Sequence, residues 1–348
     1  MSKLSIKDMA KALNTSTAAI SYVLNGKARE MRISDGLAKK ILKFARDNNY
    51  SPSKLPVSLR TGRTDIICLM VEDIADNFFA AIAGRIAELA RPLGIKVVYM
   101  STDNDTEKTR ELITDFRRQK VDGFIITPPP GIEKDIRELI KDEIPVVLFD
   151  RWLKNVPAGY VGVDNLESSE KAVLHLHEQG FRHIAFVTLN SSQVQMADRL
   201  NGYKRAAQRI KMPVLVKKID YEERDTPGAI GKIAHFLRQE PAVDAVFFAC
   251  GSLAITGLEA FQQLSITIGR DIGMVAFDDN HFLRAHSPSI TAVAQPVNEL
   301  GETLVNMLSG LIAGKDKTKT KAGKIVLPTR LVVRQSSMPL VAAEAKPV

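Results

Sequence analysis

The sequence has little of what metal sites, disulfide frameworks and membrane spans require. Its 348 residues include only two cysteines. Cys68 and Cys250 both lie in apolar runs typical of buried strands, and no Cys–His spacing suggests zinc. No apolar run approaches the roughly 20 residues of a membrane helix, and no apolar signal core follows Met1. We therefore expect a cytoplasmic protein that binds no membrane, no metal ion and no other cofactor.

Catalytic motifs are equally scarce. No strand end carries a glycine-rich phosphate loop or a nucleophile elbow. Four histidines, on one helix face and in one loop, are more typical of packing or surface positions than of catalysis: His175, His177, His281 and His286. We therefore do not expect an enzyme.

Acidic residues are rare in one part of the chain. Residues 1–63 hold 13 lysines and arginines against 4 aspartates and glutamates, a net charge of +9, whereas the whole chain is +8. Clustered positive charge of this kind releases counterions from a polyanion, which favours nucleic acid as the partner. A basic solubility tail is the alternative, but such tails lack periodic apolar residues.

The same basic segment has the periodicity of two short helices joined by a tight turn. Apolar residues at helical spacing from Ile6 to Leu13 predict the first helix. Asn14 suits a left-handed turn residue, and Ser16 suits the N-cap of a second helix. A third helix is predicted over Ser34–Asn48, with four residues facing inward: Leu37, Ile41, Leu42 and Ala45.

The second of these helices has an outer face suited to DNA. Ile20, Val23 and Leu24 form its inner face, which leaves four residues outside: Thr17, Ala18, Ser21 and Tyr22. Short side chains at the start of a helix allow close approach to base edges in a major groove, as in a helix-turn-helix. An ordinary helical hairpin is the alternative interpretation.

From Thr64 onward, apolar runs alternate with amphipathic helices. Runs such as Ile66–Val71, Val146–Phe149 and His183–Thr188 are apolar on both faces, which is typical of parallel strands covered by helices. Two such series follow one another. We therefore predict an α/β protein, with a three-helix head and two doubly wound parallel-sheet lobes. Ligands bind outside the carboxyl ends of such strands, so two facing lobes would place a site in the cleft between them.

Several motifs, taken in order over residues 4–336, resemble those of the LacI/GalR family of bacterial transcription regulators. They are Ile6-Lys7-Asp8-Met9-Ala10, Ser21-Tyr22-Val23-Leu24-Asn25-Gly26, Ser58-Leu59-Arg60-Thr61-Gly62-Arg63-Thr64, Val121-Asp122-Gly123, Val161-Gly162-Val163-Asp164-Asn165, Phe277-Asp278-Asp279 and Ala294-Gln295-Pro296. The loop at residues 27–32 is similar to that of the branch containing the fructose repressor-activator. The resemblance implies lobes like those of periplasmic sugar-binding proteins.

The resemblance also implies a domain division and a set of partners. The partners are a second copy of the chain, double-stranded operator DNA at the nucleoid, and a small effector, a sugar or sugar derivative, that controls operator affinity from the cleft. The implied divisions are a head at 1–50, a hinge helix or linker at 51–63, a first lobe at 64–163 and 292–327, a second lobe at 164–291 and 328–336, and a disordered tail at 337–348.

Carried over residue by residue, the resemblance assigns DNA contacts to the head and the hinge. In the head these are Ser16, Thr17, Ala18, Ser21, Tyr22 and Asn25. Tyr22 stands where most members have a guanine-reading arginine, so a different base preference is expected. Leu59 matches a hinge leucine that wedges into the minor groove, although it could instead be an interdomain packing residue. Pro56 replaces a usual alanine, which leaves the stability of the hinge helix open.

The resemblance assigns the effector to side chains at strand ends: Asp76, Phe78, Phe79, Asp150, Arg151, Arg199, Tyr221, Ser252, Asp278 and Gln295. Carboxylates, arginine and an aromatic ring suit the hydroxyls and C–H face of a sugar. The phenylalanines could instead belong to the core, and Asp150–Arg151 could be a structural ion pair.

One departure from the family leaves the effector class open. Gly251-Ser252 replaces a common Asn-Asp pair. This removes a charged side chain that would accept hydrogen bonds from ligand hydroxyls, and it leaves room for an acidic, phosphorylated or less polar ligand. The alternative function is a solute-binding protein of a sugar transporter. Such a protein would need an export signal and would have no use for a basic head.

Overall fold

The computed structural model describes residues 4–48, 50, 63–314 and 323–338. They belong to two compact units, Met1–Thr64 and Asp65–Val348. Pro56, Leu59 and the rest of the predicted hinge up to residue 62 lie outside the described residues, as does the chain after Met338. In the described part of the chain, no helix has the length and apolar character needed to cross a membrane.

The first unit contains three helices, α1 (Ile6–Ala12), α2 (Thr17–Leu24) and α3 (Asp35–Asp47). Each helix begins after a serine N-cap, Ser5, Ser16 or Ser34, and the Ser16 hydroxyl accepts a hydrogen bond from the Ala19 N–H at 3.0 Å. The turn before α2 contains Asn14 at φ 47°, as predicted. The predicted inward face of α3 is wrong at one position, since Leu42 is 44% exposed. Ile41 is buried at the centre of that face, and the next residue lies about 100° around the helix.

The second unit contains two six-stranded sheets that form two lobes. Their strands are β1 (Ile66–Val71), β2 (Lys96–Ser101), β3 (Gly123–Ile126), β4 (Val146–Phe149), β5 (Gly159–Val163), β6 (Ile184–Leu189), β7 (Leu215–Ile219), β8 (Ala245–Phe248), β9 (Gly273–Phe277), β10 (Thr291–Ala294), β11 (Lys324–Leu327) and β12 (Arg330–Val332). The first sheet has the order β11-β5-β4-β3-β1-β2, and every pairing in it is parallel. The second has the order β12-β10-β9-β8-β6-β7, with β12 antiparallel to β10 and the remaining pairs parallel.

Amphipathic helices cover both sheets and bury continuous cores. They are α4 (Asn77–Ala90), α5 (Thr106–Arg118), α6 (Glu133–Lys141), α7 (Asn165–Glu178), α8 (Val194–Arg209), α9 (Pro227–Gln239), α10 (Gly251–Gln263), α11 (His281–Ala285) and α12 (Val297–Ile312). Because the central strands are buried on both faces, nearly all of their side chains belong to these cores.

The chain passes between the lobes after β5, after β10 and after β11. The second passage differs from the sequence prediction, because β10 pairs with β9 in the second sheet and only then does α12 pack on the first. The first residue that was assigned to a disordered tail instead belongs to the folded second lobe. Ser337 is fully buried, and its hydroxyl lies 2.6 Å from Thr291 Oγ1 and 2.8 Å from His175 Nε2.

Candidate functional site

The exposed face of α2 in the first unit carries the predicted DNA contacts. Thr17 and Ala18 are exposed, whereas Ser21 and Tyr22 are half-buried. Asn25 caps the end of the helix, and its Nδ2 donates to the Ser21 carbonyl at 2.8 Å. The face therefore presents short side chains and one phenol ring from a single helix. The remaining predicted DNA contact, Leu59, lies outside the described residues.

In the second unit, the segments that follow the carboxyl ends of the strands surround two adjacent cavities of about 240 Å³ and 50 Å³. Both lobes contribute to their lining. Nine of the ten predicted effector residues line them, namely Asp76, Phe78, Phe79, Asp150, Arg151, Arg199, Ser252, Asp278 and Gln295. Tyr221 is the exception, and its ring lies 4.1 Å below the guanidinium of Arg224, which lines both cavities.

Asp76 and the two phenylalanines lie at the start of α4, just after β1. The Asp76 carboxylate caps this helix by accepting hydrogen bonds from the N–H groups of Phe78, at 2.9 Å, and Phe79, at 3.4 Å. Phe79 is buried among the core side chains and packs edge-on against Phe149, with ring centroids 6.2 Å apart. Phe78 lines both cavities. The core alternative therefore describes Phe79 better than Phe78.

Asp150 and Arg151 follow β4, and both are buried. Asp150 is in the left-handed region at φ 63°, which turns the chain sharply at the strand end. Arg151 forms an ion pair with Glu72 and donates from Nη1 to Asn104 Oδ1 at 2.9 Å. Its Nε lies 3.5 Å from the Asp150 carboxylate. The main ion-pair partner of Arg151 is thus Glu72 rather than its neighbour.

Arg199, on α8, is 2% exposed and held from three sides. Its Nε donates to Asn165 Oδ1 at 2.8 Å, and its Nη1 donates to the Ala249 carbonyl at 2.7 Å. Its guanidinium carbon lies 3.5 Å from the centroid of the Phe277 ring. These contacts fix the guanidinium plane at the cavity wall.

Asp278 follows β9 at φ 75° and organises the opposite wall. Its carboxylate accepts a hydrogen bond from Gln295 Nε2 at 2.6 Å and another from the Gly251 N–H at 3.3 Å. Ser252 lies beside this contact, and its hydroxyl is 3.3 Å from Cys250 Sγ. Gln295 follows β10, so two predicted effector residues that follow neighbouring strands are hydrogen-bonded to each other.

Two hydrogen-bonded contacts join the lobes across the cleft. Asn104, after β2, accepts from Gln193 Nε2 at 2.6 Å. Asp73, after β1, pairs with Arg224 Nη2 at 3.2 Å. Sequence reasoning missed Asn104, Asp73 and Arg224, although each follows a strand end, which is the signal that could have identified them.

Burial and like charge raise the pKa values of two carboxyl groups in the cleft. Burial raises the pKa of Asp150 to about 7, with Asp278 and Asp76 adding repulsion and Arg199 opposing it. Burial, followed by repulsion from Asp278, raises the pKa of Asp76 to about 6. Burial lowers the pKa of Arg151 to about 9. In the described part of the chain, no three His, Cys, Asp or Glu side chains are placed to hold a metal ion.

Known proteins are similar to this chain, in sequence and in structure, over nearly its whole length. A family model for a periplasmic binding protein-like domain matches residues 173–337. The HTH-type transcriptional regulator DegA of Bacillus subtilis is 29% identical over 346 residues, covering 97% of this chain and 99% of its own. The ribose operon repressor of Halalkalibacterium halodurans is 28% identical, with 95% and 96% covered. The lac repressor dimer bound to operator and the anti-inducer ONPF has a TM-score of 0.83 at 22% identity, covering 97% of this chain and 100% of that one, which shows a shared fold.

Proposed function

We propose, for this member of the LacI family of transcription regulators, a dimeric repressor whose affinity for operator DNA changes when a small effector, a sugar or sugar derivative, binds between its lobes. The observation that carries the proposal is the set of donors and acceptors from the strand ends of both sheets around one cleft. The relatives that match nearly its whole length are named as regulators or repressors. We accordingly place it in the cytoplasm, at the nucleoid, and assign it no enzymatic activity.

The proposed roles within the head follow from its shape and charge. Thr17, Ala18 and Tyr22 face base edges from α2, while the hydroxyls of Ser16 and Ser21 are close enough to that face to donate to phosphates or bases. The Ser16 hydroxyl oxygen accepts the capping hydrogen bond, so its own proton stays available for donation. The net charge of +9 in residues 1–63 supplies the attraction to the DNA backbone.

Salt dependence tests the DNA-binding part of the proposal. DNA sites are first selected from a random library by the full-length protein, and their affinity is then measured by fluorescence anisotropy. If each dimer neutralises about 6–10 phosphates, affinity should fall about 10³-fold or more between 50 and 200 mM salt. Affinity that stays level over this range would contradict the head assignment. Adding candidate sugars to the same assay tests effector control.

Replacing Tyr22 with alanine is expected to relax base preference at one position in each half-site, by about 1–3 kcal/mol. The same library selection measures this for both proteins. Tyr22→Phe is the matched variant, because it keeps the ring and removes only the hydroxyl. A preference profile that is unchanged in Tyr22→Ala would remove Tyr22 from base recognition.

A further inference from the structure

The charges around the cleft indicate the chemical class of the effector. We infer that the effector is a neutral or cationic, hydroxyl-rich molecule, a sugar or an amino sugar, and that the cleft excludes sugar acids and sugar phosphates. The inference rests on the proposed function, since it takes the cleft to be the effector site.

The arginines of the cleft are already engaged within the protein. Arg151 pairs with Glu72, and Arg224 pairs with Asp73. Arg199 is held by the two hydrogen bonds and the ring contact described above. No lysine is among the described residues that line the cavities. An anionic ligand would therefore have to draw Arg151 or Arg224 away from its carboxylate, which would leave that carboxylate without a partner, or depend on Arg199 alone.

Several of the remaining polar groups of the cleft are acceptors that could receive hydrogen bonds from a ligand. Among the described residues, Asp76 and Asp278 have no ion-pair partner, and Asp150 has the 3.5 Å approach of Arg151 Nε and the nearby charge of Arg199. An independent observation supports a ligand here, because Gln195 is 2% exposed, lines the narrower cavity and has a buried Oε1 without a hydrogen-bond partner. A buried carbonyl oxygen of this kind requires a donor. Ligand hydroxyl or ammonium groups supply donors to all four side chains.

The same arrangement discriminates against negative charge. An anion about 5 Å from one ionised carboxylate, at an effective dielectric of about 20, loses on the order of a hundredfold in affinity. Eight acidic side chains line the two cavities against three arginines, so the guanidiniums at the wall cannot offset the repulsion. Phe78, which lines both cavities, adds an apolar surface for the C–H face of a sugar ring.

The test is a thermal-shift screen of the full-length protein with a set of sugars and charged sugar derivatives, each at the same millimolar concentration. The neutral members are glucose, ribose and cellobiose, and the amino member is glucosamine. The acid members are gluconate and glucuronate, and the phosphate members are glucose 6-phosphate and ribose 5-phosphate. We expect a neutral or amino member to raise the melting temperature and no acid or phosphate member to do so. Stabilisation by an acid or phosphate, or by no neutral or amino member, overturns the inference.

A variant at Gln195 tests the acceptor directly. Gln195→Met keeps the length of the side chain and removes the carbonyl, so it should weaken binding of the stabilising sugar about 10-fold, measured by calorimetry. Gln208→Met, at an exposed position of the same helix, is the control and should leave affinity unchanged. Equal affinity of the Gln195 variant and the parent would remove Gln195 from the site.

Operator binding separates this inference from the proposed function. A sugar phosphate that binds and changes operator affinity would uphold the regulator and overturn the effector class. A neutral sugar that binds and leaves operator affinity unchanged would uphold the effector class and overturn the proposed control of operator binding.

Discussion

Arg199→Met is expected to abolish the effector response and to lower the free energy of unfolding of the second unit by about 3 kcal/mol. Arg199 donates two hydrogen bonds, to Asn165 Oδ1 and to the Ala249 carbonyl. Arg199, Asn165 and Ala249 are all buried. A buried acceptor left without a partner costs about 1–3 kcal/mol. The contact with the Phe277 ring is weakened as well. Urea denaturation at neutral pH measures the loss.

The matched control for this prediction is Arg205→Met on the same helix. Arg205 pairs with Glu170 at the surface, and its side chain is 49% exposed, so its removal should change stability by less than about 1 kcal/mol. Operator binding by folded Arg199→Met should match that of the parent, because the head is a separate compact unit. Retention of a normal effector response would show that Arg199 only supports the fold.

The alternation of apolar runs with helices was sufficient to predict two doubly wound sheets, because strands buried on both faces have a distinctive composition. The passage between the lobes near Ala292 could not be placed from sequence. Thr291–Ala294 is a short strand with no pattern that separates one sheet from the other, and its pairing with β9 decides the matter. The exposure of Leu42 likewise depends on how α3 packs on its neighbours.

The candidate site was predictable where a residue directly follows a strand, since parallel strands bring their carboxyl ends to one edge. Asp150, Asp278 and Gln295 are of this kind. The partners of each side chain were not predictable, because they depend on tertiary distances. Sequence alone left open whether Arg151 could serve an anionic ligand, and only its pairing with Glu72 across the loops answers that.

Lowering the pH is expected to stabilise the second unit, and Asp150→Asn should remove most of the effect. The pKa of Asp150 is raised to about 7 by burial and that of Asp76 to about 6, from an ordinary value of 3.8. The folded state therefore binds more protons than the unfolded chain over this range. The free energy of unfolding should decrease as pH rises from about 4 to about 7, and then level off.

At pH 8, Asp150→Asn should exceed the parent in stability by about 2–4 kcal/mol, whereas near pH 4 the two should be equal. Denaturation across this range measures both proteins. Asp271→Asn is a control in which the pH dependence runs in the opposite direction. Hydrogen bonds from Arg270 lower the pKa of Asp271 to about 2, so the stability that this carboxylate contributes is lost as pH falls. Parallel profiles for parent and Asp150→Asn would contradict the prediction. A buried carboxylate that lowers stability at neutral pH is expected to serve ligand binding. The Asp150→Asn variant, which gains stability at pH 8, should therefore lose affinity for the effector.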